Sequence, residues 1–439
     1  MLKRFLFISI KSITLPRPIF MKGTFHPRGV QEGEGMLERI ALVLTMLSIV
    51  CTHNTRLDSS GATPEGVARI AKANNQFALD LFSQIRKRTR EENIFFSPFS
   101  ITTALTMTYE GARGKTAAEM ESVLHITKRL ELRRPNFASL INELNRKDRK
   151  YTLAVANALW AQKDYRFLKE YFQVVERYYG GKVTNIDFVH RTEKARRKIN
   201  DWVEDKTEKK IKNLIPKGAL TDLTRLVLTN AIYFKGNWLQ KFDKKLTREE
   251  DFHTLSGEKV KVPMMNLTGD KARFDYAEVE GVQILRLPYE GGDLSMLILL
   301  PEKGRIKELE DSLDLEKLRE WRNMLRNRKV NVYLPRFKLK TKYFLAKILV
   351  AMGMTSAFGA ADFSGMDGTK NLFISKVIHQ GFINVDEEGT EAAAATGVVM
   401  EFVAVRETPV FRADHPFLFL IQHKSSGSIL FLGRLGNPG

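Results

Sequence analysis

The chain has one cysteine, Cys51, in 439 residues. No disulfide can form within it, and neither a four-cysteine nor a mixed Cys/His zinc site can be assembled. Proline is sparse at 14 residues, and no Pro/Gly/Ser-rich stretch divides the chain beyond residue 64, so one closely mixed α/β body is the economical reading. Long apolar runs are missing too: the run at 40–51 is too short to span a bilayer comfortably. Catalytic signatures fail in turn. The histidines form no His-Glu-x-x-His set and no Gly-x-Ser-x-Gly elbow is present. The GKT at 114–116 lacks the glycine that a phosphate loop needs five residues before Gly114, where Tyr109 stands. No catalytic residue, metal site or cofactor is therefore assigned. Acidic charge is the minority, 51 Asp and Glu against 70 Lys and Arg, a formal charge of +19. Most of the excess lies beyond residue 56. A basic body favours polyanionic partners, although a solvated surface in a charge-rich protein is the plainer reading, and nothing specifies nucleic acid. The lone cysteine and dense Lys, Arg and Glu suit a prokaryote from a hot habitat.

What is present divides into three parts. Residues 1–35, with Pro16, Pro18 and Pro27, have no sustained periodicity and read as an irregular extension. Residues 36–56, MLERIALVLTMLSIVCTHNTR, carry an apolar core of signal-peptide length. They predict export to the cell surface or exterior; Val50 stands where a lipid-attachment signal at Cys51 would place a small residue. Residues 57–439 read as the folded domain. Within it, ARIAKANNQFALDLFSQIRKR has helical spacing. The stretch IFFSPFSITTALTMTYEGA reads as a strand, a Ser-Pro break and an apolar helix. TKRLELRRPNFASLINELNRKDRK is a basic amphipathic stretch, and NDWVEDKTEKKIKNLI is helical. YTLAVANALWAQ, RLVLTNAIYFKGNW, KVNVYLPRFKLK, FISKVIHQGFINVDEE, HPFLFLIQ and SILFLGRLG read as strands.

From the end of FISKVIHQGFINVDEE toward HPFLFLIQ runs NVDEEGTEAAAATGVVMEFVAVRETPVF, residues 384–411, which has few of the residues that loops favour. Read at the two-residue period of a strand, Thr390, Ala392, Ala394, Thr396, Val398, Met400 and Phe402 fall on one face without a charge. Glu391 and Glu401 share the other. That pattern fits a strand with one buried and one solvated face; an alanine-rich helical or disordered linker is the alternative.

The run GTEAAAAT, with DEE before it and HPFLFLI and LFLGRLGNP after it, resembles the hinge and carboxyl-terminal strands of the serpins. So do NIFFSPFSI, YTLAVANALW, INDWVEDKTEKKIKNLI, TRLVLTNAIYFKGNW, VPMMN and VNVYLPRFKL, in the family's order, over roughly residues 66–438. The resemblance implies an α+β serpin fold with three β-sheets, eight or nine helices and an exposed reactive loop. It further implies a monomer that inhibits serine proteases covalently and is not itself an enzyme. The hinge would be Gly389, Thr390, Glu391, Ala392, Ala393, Ala394, Ala395 and Thr396. Family spacing puts the reactive bond at Val403–Ala404, with Phe402 and Val405 as alternatives and Arg406 as a weaker basic one. Valine there suits an elastase- or subtilisin-like protease, and Phe402 a chymotrypsin-like one. Ser97, Ser100, Asn230 and His379 match the cluster where the large sheet opens, Trp238 the aromatic near its top, and Glu387 should pair with Arg336. A non-inhibitory carrier or chaperone is the alternative function, although the small residues 390–396 argue against it. A further polyanion-binding role would draw on Lys128, Arg129, Arg133, Arg134, Arg146, Lys147, Arg149 and Lys150.

Overall fold

The computed structural model describes residues 56–390 and 408–439. The reactive-bond candidates Phe402, Val403, Ala404 and Val405, the hinge residues 391–396, and Cys51 lie outside the described residues. The compact unit runs from Arg56 to Gly439. It holds three sheets and, among the described residues, ten α-helical segments. Two of these are short pieces of six and four residues, Ala346–Ala351 and Ser364–Asp367, and the count exceeds the eight or nine expected.

One sheet has six strands, in the order Phe337–Phe344, Ile374–Asp386, Gly389–Thr390, Leu226–Asn237, Tyr151–Gln162 and Lys182–Ile186. Leu226–Asn237 is nearly all buried, because both of its faces are covered. Leu226, Leu228, Ile232 and Phe234 enter the main core. Val227, Ala231 and Tyr233 alternate with them into a second cluster, shared with Ala195, Ile199 and Val203 of the helix Thr192–Lys206. A seven-stranded sheet is built around the hairpin of Phe417–His423 and Ile429–Leu435, whose residues are all buried. The third sheet has four strands.

Two sequence expectations shift. The helix read over NDWVEDKTEKKIKNLI begins earlier, at Thr192, and stops at Lys206. The Thr207 hydroxyl donates to the Val203 carbonyl and accepts from the Ile211 amide, while Glu208 and Lys209 take positive φ, which ends the helix. KVNVYLPRFKLK is also two strands rather than one: Asn331–Pro335 in the four-stranded sheet and Phe337–Phe344 at the edge of the six-stranded one. Pro335 has no amide to continue a ladder, and the Arg336 amide turns to the Pro263 carbonyl. Arg336 therefore sits at the joint between two sheets.

Candidate functional site

The site is the upper end of the six-stranded sheet. Its two long strands, Ile374–Asp386 and Leu226–Asn237, run parallel and pair directly from Ile374↔Leu226 to Phe382↔Tyr233. Above that the chain reverses at Glu387 and Glu388, and Gly389–Thr390 enters between them, antiparallel to both. Thr390 faces Val385 on one side and Gly236 on the other. The first two hinge residues are thus already strand residues, and the slot that continues below them is closed by direct pairing.

Glycine is required at 389. Its φ is +151°, and a Cβ there would lie 2.2 Å from the Gly236 carbonyl oxygen and 2.6 Å from the Asn237 Cα. Thr390 is fully buried, and its hydroxyl shares a 2.9 Å hydrogen bond with the Tyr289 hydroxyl. Tyr289 stacks on Trp238 with ring centroids 4.7 Å apart. The Trp238 indole donates to the Asp386 carbonyl at 3.0 Å, and its amide to the Glu388 carbonyl at 2.8 Å. Trp238 therefore clamps the turn from which the hinge departs.

The same turn carries a ring of charge. The Glu387 carboxylate is 1% exposed and accepts from Arg336 Nη2 at 2.5 Å and from the Thr247 hydroxyl at 2.6 Å. Burial alone would raise its pKa, but these two donors outweigh burial and hold it below the usual value. Glu388, which the sequence reading passed over, pairs with Lys241 at 3.1 Å and Lys244 at 3.2 Å. Neither lysine stands near it in the sequence, so only folding brings them together.

Lower down, one row crosses the closed seam. Asn157, Asn230 and His379 stand opposite one another on three adjacent strands. They face the start of the helix Pro98–Tyr109, whose N-cap Ser97 accepts from the Ser100 amide. The Ser97 amide donates to His379 Nε2 at 3.1 Å, so that nitrogen is bare and the ring proton sits on Nδ1, directed at Asn230 Oδ1. Asn230 Nδ2 donates to the Ser100 hydroxyl at 2.6 Å and to Asn157 Oδ1. Asn157 was missed because, inside YTLAVANALW, an asparagine reads as an interruption of an apolar strand. The His379–Asn230 bond joins the two strands that a new strand would have to part, which makes the row a latch.

Burial drives His379 down to a pKa of about 3, against an ordinary value of 6.5. A depressed histidine pKa gives stability that is complete above pH 6.5 and is lost as pH falls toward 3, because only the unfolded chain takes up the proton. The loss is about 1.4 kcal/mol per pH unit and per histidine. Burial also lowers His423, against the pull of Glu143 and Asp293, and acts in the same direction. Urea midpoints of the intact chain are expected to fall from pH 7 to 5, and His379→Gln to flatten that fall. An unchanged slope in the variant would remove His379 from the account.

The basic stretch at 128–150 is largely engaged internally. Arg133, 1% exposed, and Arg134 both bind Glu110, at 3.0 and 2.8 Å, and the Tyr179 hydroxyl donates to the same carboxylate at 2.6 Å. Arg129 pairs with Glu131, and Arg146 with Asp293. Arg149 donates to the Leu144 carbonyl. Of the eight cations proposed for a polyanion, Lys128, Lys147 and Lys150 are exposed and stand in no ion pair among the described residues.

The comparisons with known proteins cover most of the folded unit. Residues 72–438 match the serpin family, described as serine protease inhibitor. Human leukocyte elastase inhibitor is 43% identical over 381 residues, which is 84% of this chain and all of that one. An uncharacterized serpin-like protein of Thermococcus kodakarensis is 43% identical over 373 residues, covering 84% of this chain and 86% of its own. Among solved structures, uncleaved ovalbumin superposes with a TM-score of 0.76 at 33% identity, over 84% of this chain and all of its own. Human thyroxine-binding globulin does so with 0.78 at 30% identity, over 85% and 99%.

Proposed function

This chain belongs to the serpin family, and from that premise we propose that it traps serine proteases irreversibly by inserting its cleaved loop into the six-stranded sheet. The protease serine Oγ adds to a loop carbonyl carbon, the peptide bond breaks, and the amine of the downstream fragment leaves with a proton. The upstream loop stays joined to the protease as an ester. Water can then hydrolyse the ester, or the loop can insert first and carry the protease with it.

The observation that carries this reading is the register of Gly389–Thr390. Six positions beyond Thr390 along the loop is Thr396. Six positions back from Gly236 and Val385 are Asn230 and His379. Continued insertion therefore brings the Thr396 hydroxyl between the two latch residues on the face that Thr390 already occupies, where it can replace the bond that parting the strands breaks. Every other residue on that face, from Ala392 to Phe402, is uncharged and can be buried there without an ionic penalty.

The elastase inhibitors among the relatives, and a valine at 403, favour an elastase-like target cleaved at Val403–Ala404. The carrier reading draws support from the likeness to thyroxine-binding globulin. The small, uncharged inward face of the hinge argues for insertion instead. Export, directed by the apolar run at 40–51, would bring the inhibitor to external proteases; a mature chain still beginning at Met1 would count against it. Incubation with a panel of serine proteases tests the function. We expect an adduct that survives denaturing electrophoresis and a released peptide beginning at Ala404. Reversible inhibition with an uncut loop would exclude the mechanism, and a different peptide terminus would move the bond.

A further inference from the structure

Away from the loop and the seam, one arginine is buried with nothing to hold. Arg322, on the helix Leu315–Met324, is half-buried. Its Nε and Nη2 are shut off from water and have no hydrogen-bond partner, and it stands in no ion pair among the described residues. Burial, and after it the positive charge of Arg286, pull the Arg322 pKa down to about 10. The group is still protonated at neutral pH, so a full positive charge is held there without a counter-ion, which is costly. Arg286 brings no relief, because it is a cation itself and its own partner is Asp275, at 2.9 Å.

The surroundings add a further donor. Arg322 Nη1 lies 3.9 Å from the Cβ that an alanine at Gly427 would carry, in the turn between Phe417–His423 and Ile429–Leu435. Gln422, on the strand entering that turn, is 5% exposed, and its Nε2 is unpaired. Pairing runs Arg286↔Leu297↔Leu420 and Pro288↔Ser295↔Gln422 across three adjacent strands. Arg286 and Gln422 therefore stand on one face of the sheet, in neighbouring rows. One unpaired acceptor belongs to the same region: Asn74 Oδ1, on the helix Pro64–Arg86, whose Asn74 and Asn75 amides bond this turn. A neutral amide oxygen does not balance a charge.

We propose that Arg322, with Arg286 beside it, is the binding site of a small oxyanion, phosphate above all, which ties the helix Leu315–Met324 to the turn at Gly427. Nε and Nη2 form one edge of the guanidinium, with two parallel donors that match two oxygens of a single oxyanion. Chloride offers no such pair. A carboxylate offers the pair but one charge, whereas phosphate carries more than one negative charge at neutral pH and serves both guanidinium groups. Because Arg322 is half-buried, the ion reaches it from the surface. Free phosphate and a phosphomonoester share this chemistry. The site is remote from the hinge and does not rest on the insertion reading.

The test compares urea unfolding of the intact full chain and of Arg322→Met, with inorganic phosphate titrated against chloride at matched ionic strength. Phosphate stabilises folded proteins in general by exclusion from their surface, so the difference between the two chains is what counts. The midpoint of the unaltered chain should climb with the logarithm of phosphate concentration once the site begins to fill, and this extra climb should be missing from Arg322→Met. In chloride alone Arg322→Met should be at least as stable as the unaltered chain, because a buried unpaired cation has gone. Arg322→Lys keeps the charge but not the fork, and should lose most of the climb. Equilibrium dialysis with radiolabelled phosphate should find one ion per chain and severalfold weaker binding to Arg322→Met. Competition by glycerol phosphate would extend the site to esters, and its failure would restrict the site to the free ion. An equal phosphate dependence in both chains would overturn the proposal. So would a lower midpoint of Arg322→Met in chloride, since the guanidinium would then have a partner within the protein, Asn74 Oδ1 foremost.

Discussion

Thr390→Arg is expected to convert the inhibitor into a substrate. Thr390 is wholly buried in the slot beside Tyr289, with Gly236 and Val385 as its strand partners. Its hydroxyl meets the Tyr289 hydroxyl there, so an arginine would bury a guanidinium in place of that contact, at several kcal/mol. A penalty of even about 3 kcal/mol slows insertion roughly 150-fold, while hydrolysis of the acyl-enzyme at a distant bond is untouched. Cleavage should proceed at the original rate and trapping should nearly vanish. Because the intact chain already holds Thr390 in the sheet, the variant should also expel Gly389–Thr390 before any protease arrives. Glu391→Arg, on the opposite parity, should be far milder. The readout is the number of inhibitor molecules consumed per protease. An unchanged value for Thr390→Arg would mean that residue 390 does not enter the sheet.

The second large effect concerns the body rather than the loop. Glu110→Leu should destabilise the intact chain by about 3–5 kcal/mol, the usual result of removing one member of a buried ionic group. Glu110 is the shared partner of Arg133 and Arg134 and accepts from Tyr179. Without it, the Arg133 guanidinium, over the Tyr109 ring at 4.4 Å, has no counter-ion. Burial alone would raise the Glu110 pKa, but the two arginines outweigh it and keep the carboxylate ionised. The urea midpoint at neutral pH measures the loss. A change within about 0.5 kcal/mol, typical of a surface substitution, would show that the group is solvated rather than structural.

These two cases mark what the sequence could and could not convey. The long strands were legible because Leu226–Asn237 and Ile374–Asp386 are largely buried and carry short runs of branched and aromatic residues such as Leu226–Leu228 and Ile232–Phe234. The pairing of Glu387 with Arg336 came through the family resemblance, and the structure shows what places it: a strand that changes sheets at Pro335. That bend was not legible, since VNVYLPRFKL has the composition of one continuous strand. Nor was the entry of Gly389–Thr390 into the intact sheet, because the alternation of small residues is the same before and after cleavage. The charges at 128–150 looked solvated for a related reason. Glu110, the partner of Arg133 and Arg134, lies on a different segment, and sequence spacing carries no information about it.

The most direct test of the central claim is a structure of the loop-cleaved chain. The account expects the loop from residue 390 onward to form one continuous strand between Leu226–Asn237 and Ile374–Asp386, with Thr396 between Asn230 and His379. A cleaved chain in which Phe382↔Tyr233 and His379↔Asn230 still pair directly, with the cut loop outside the sheet, would contradict it.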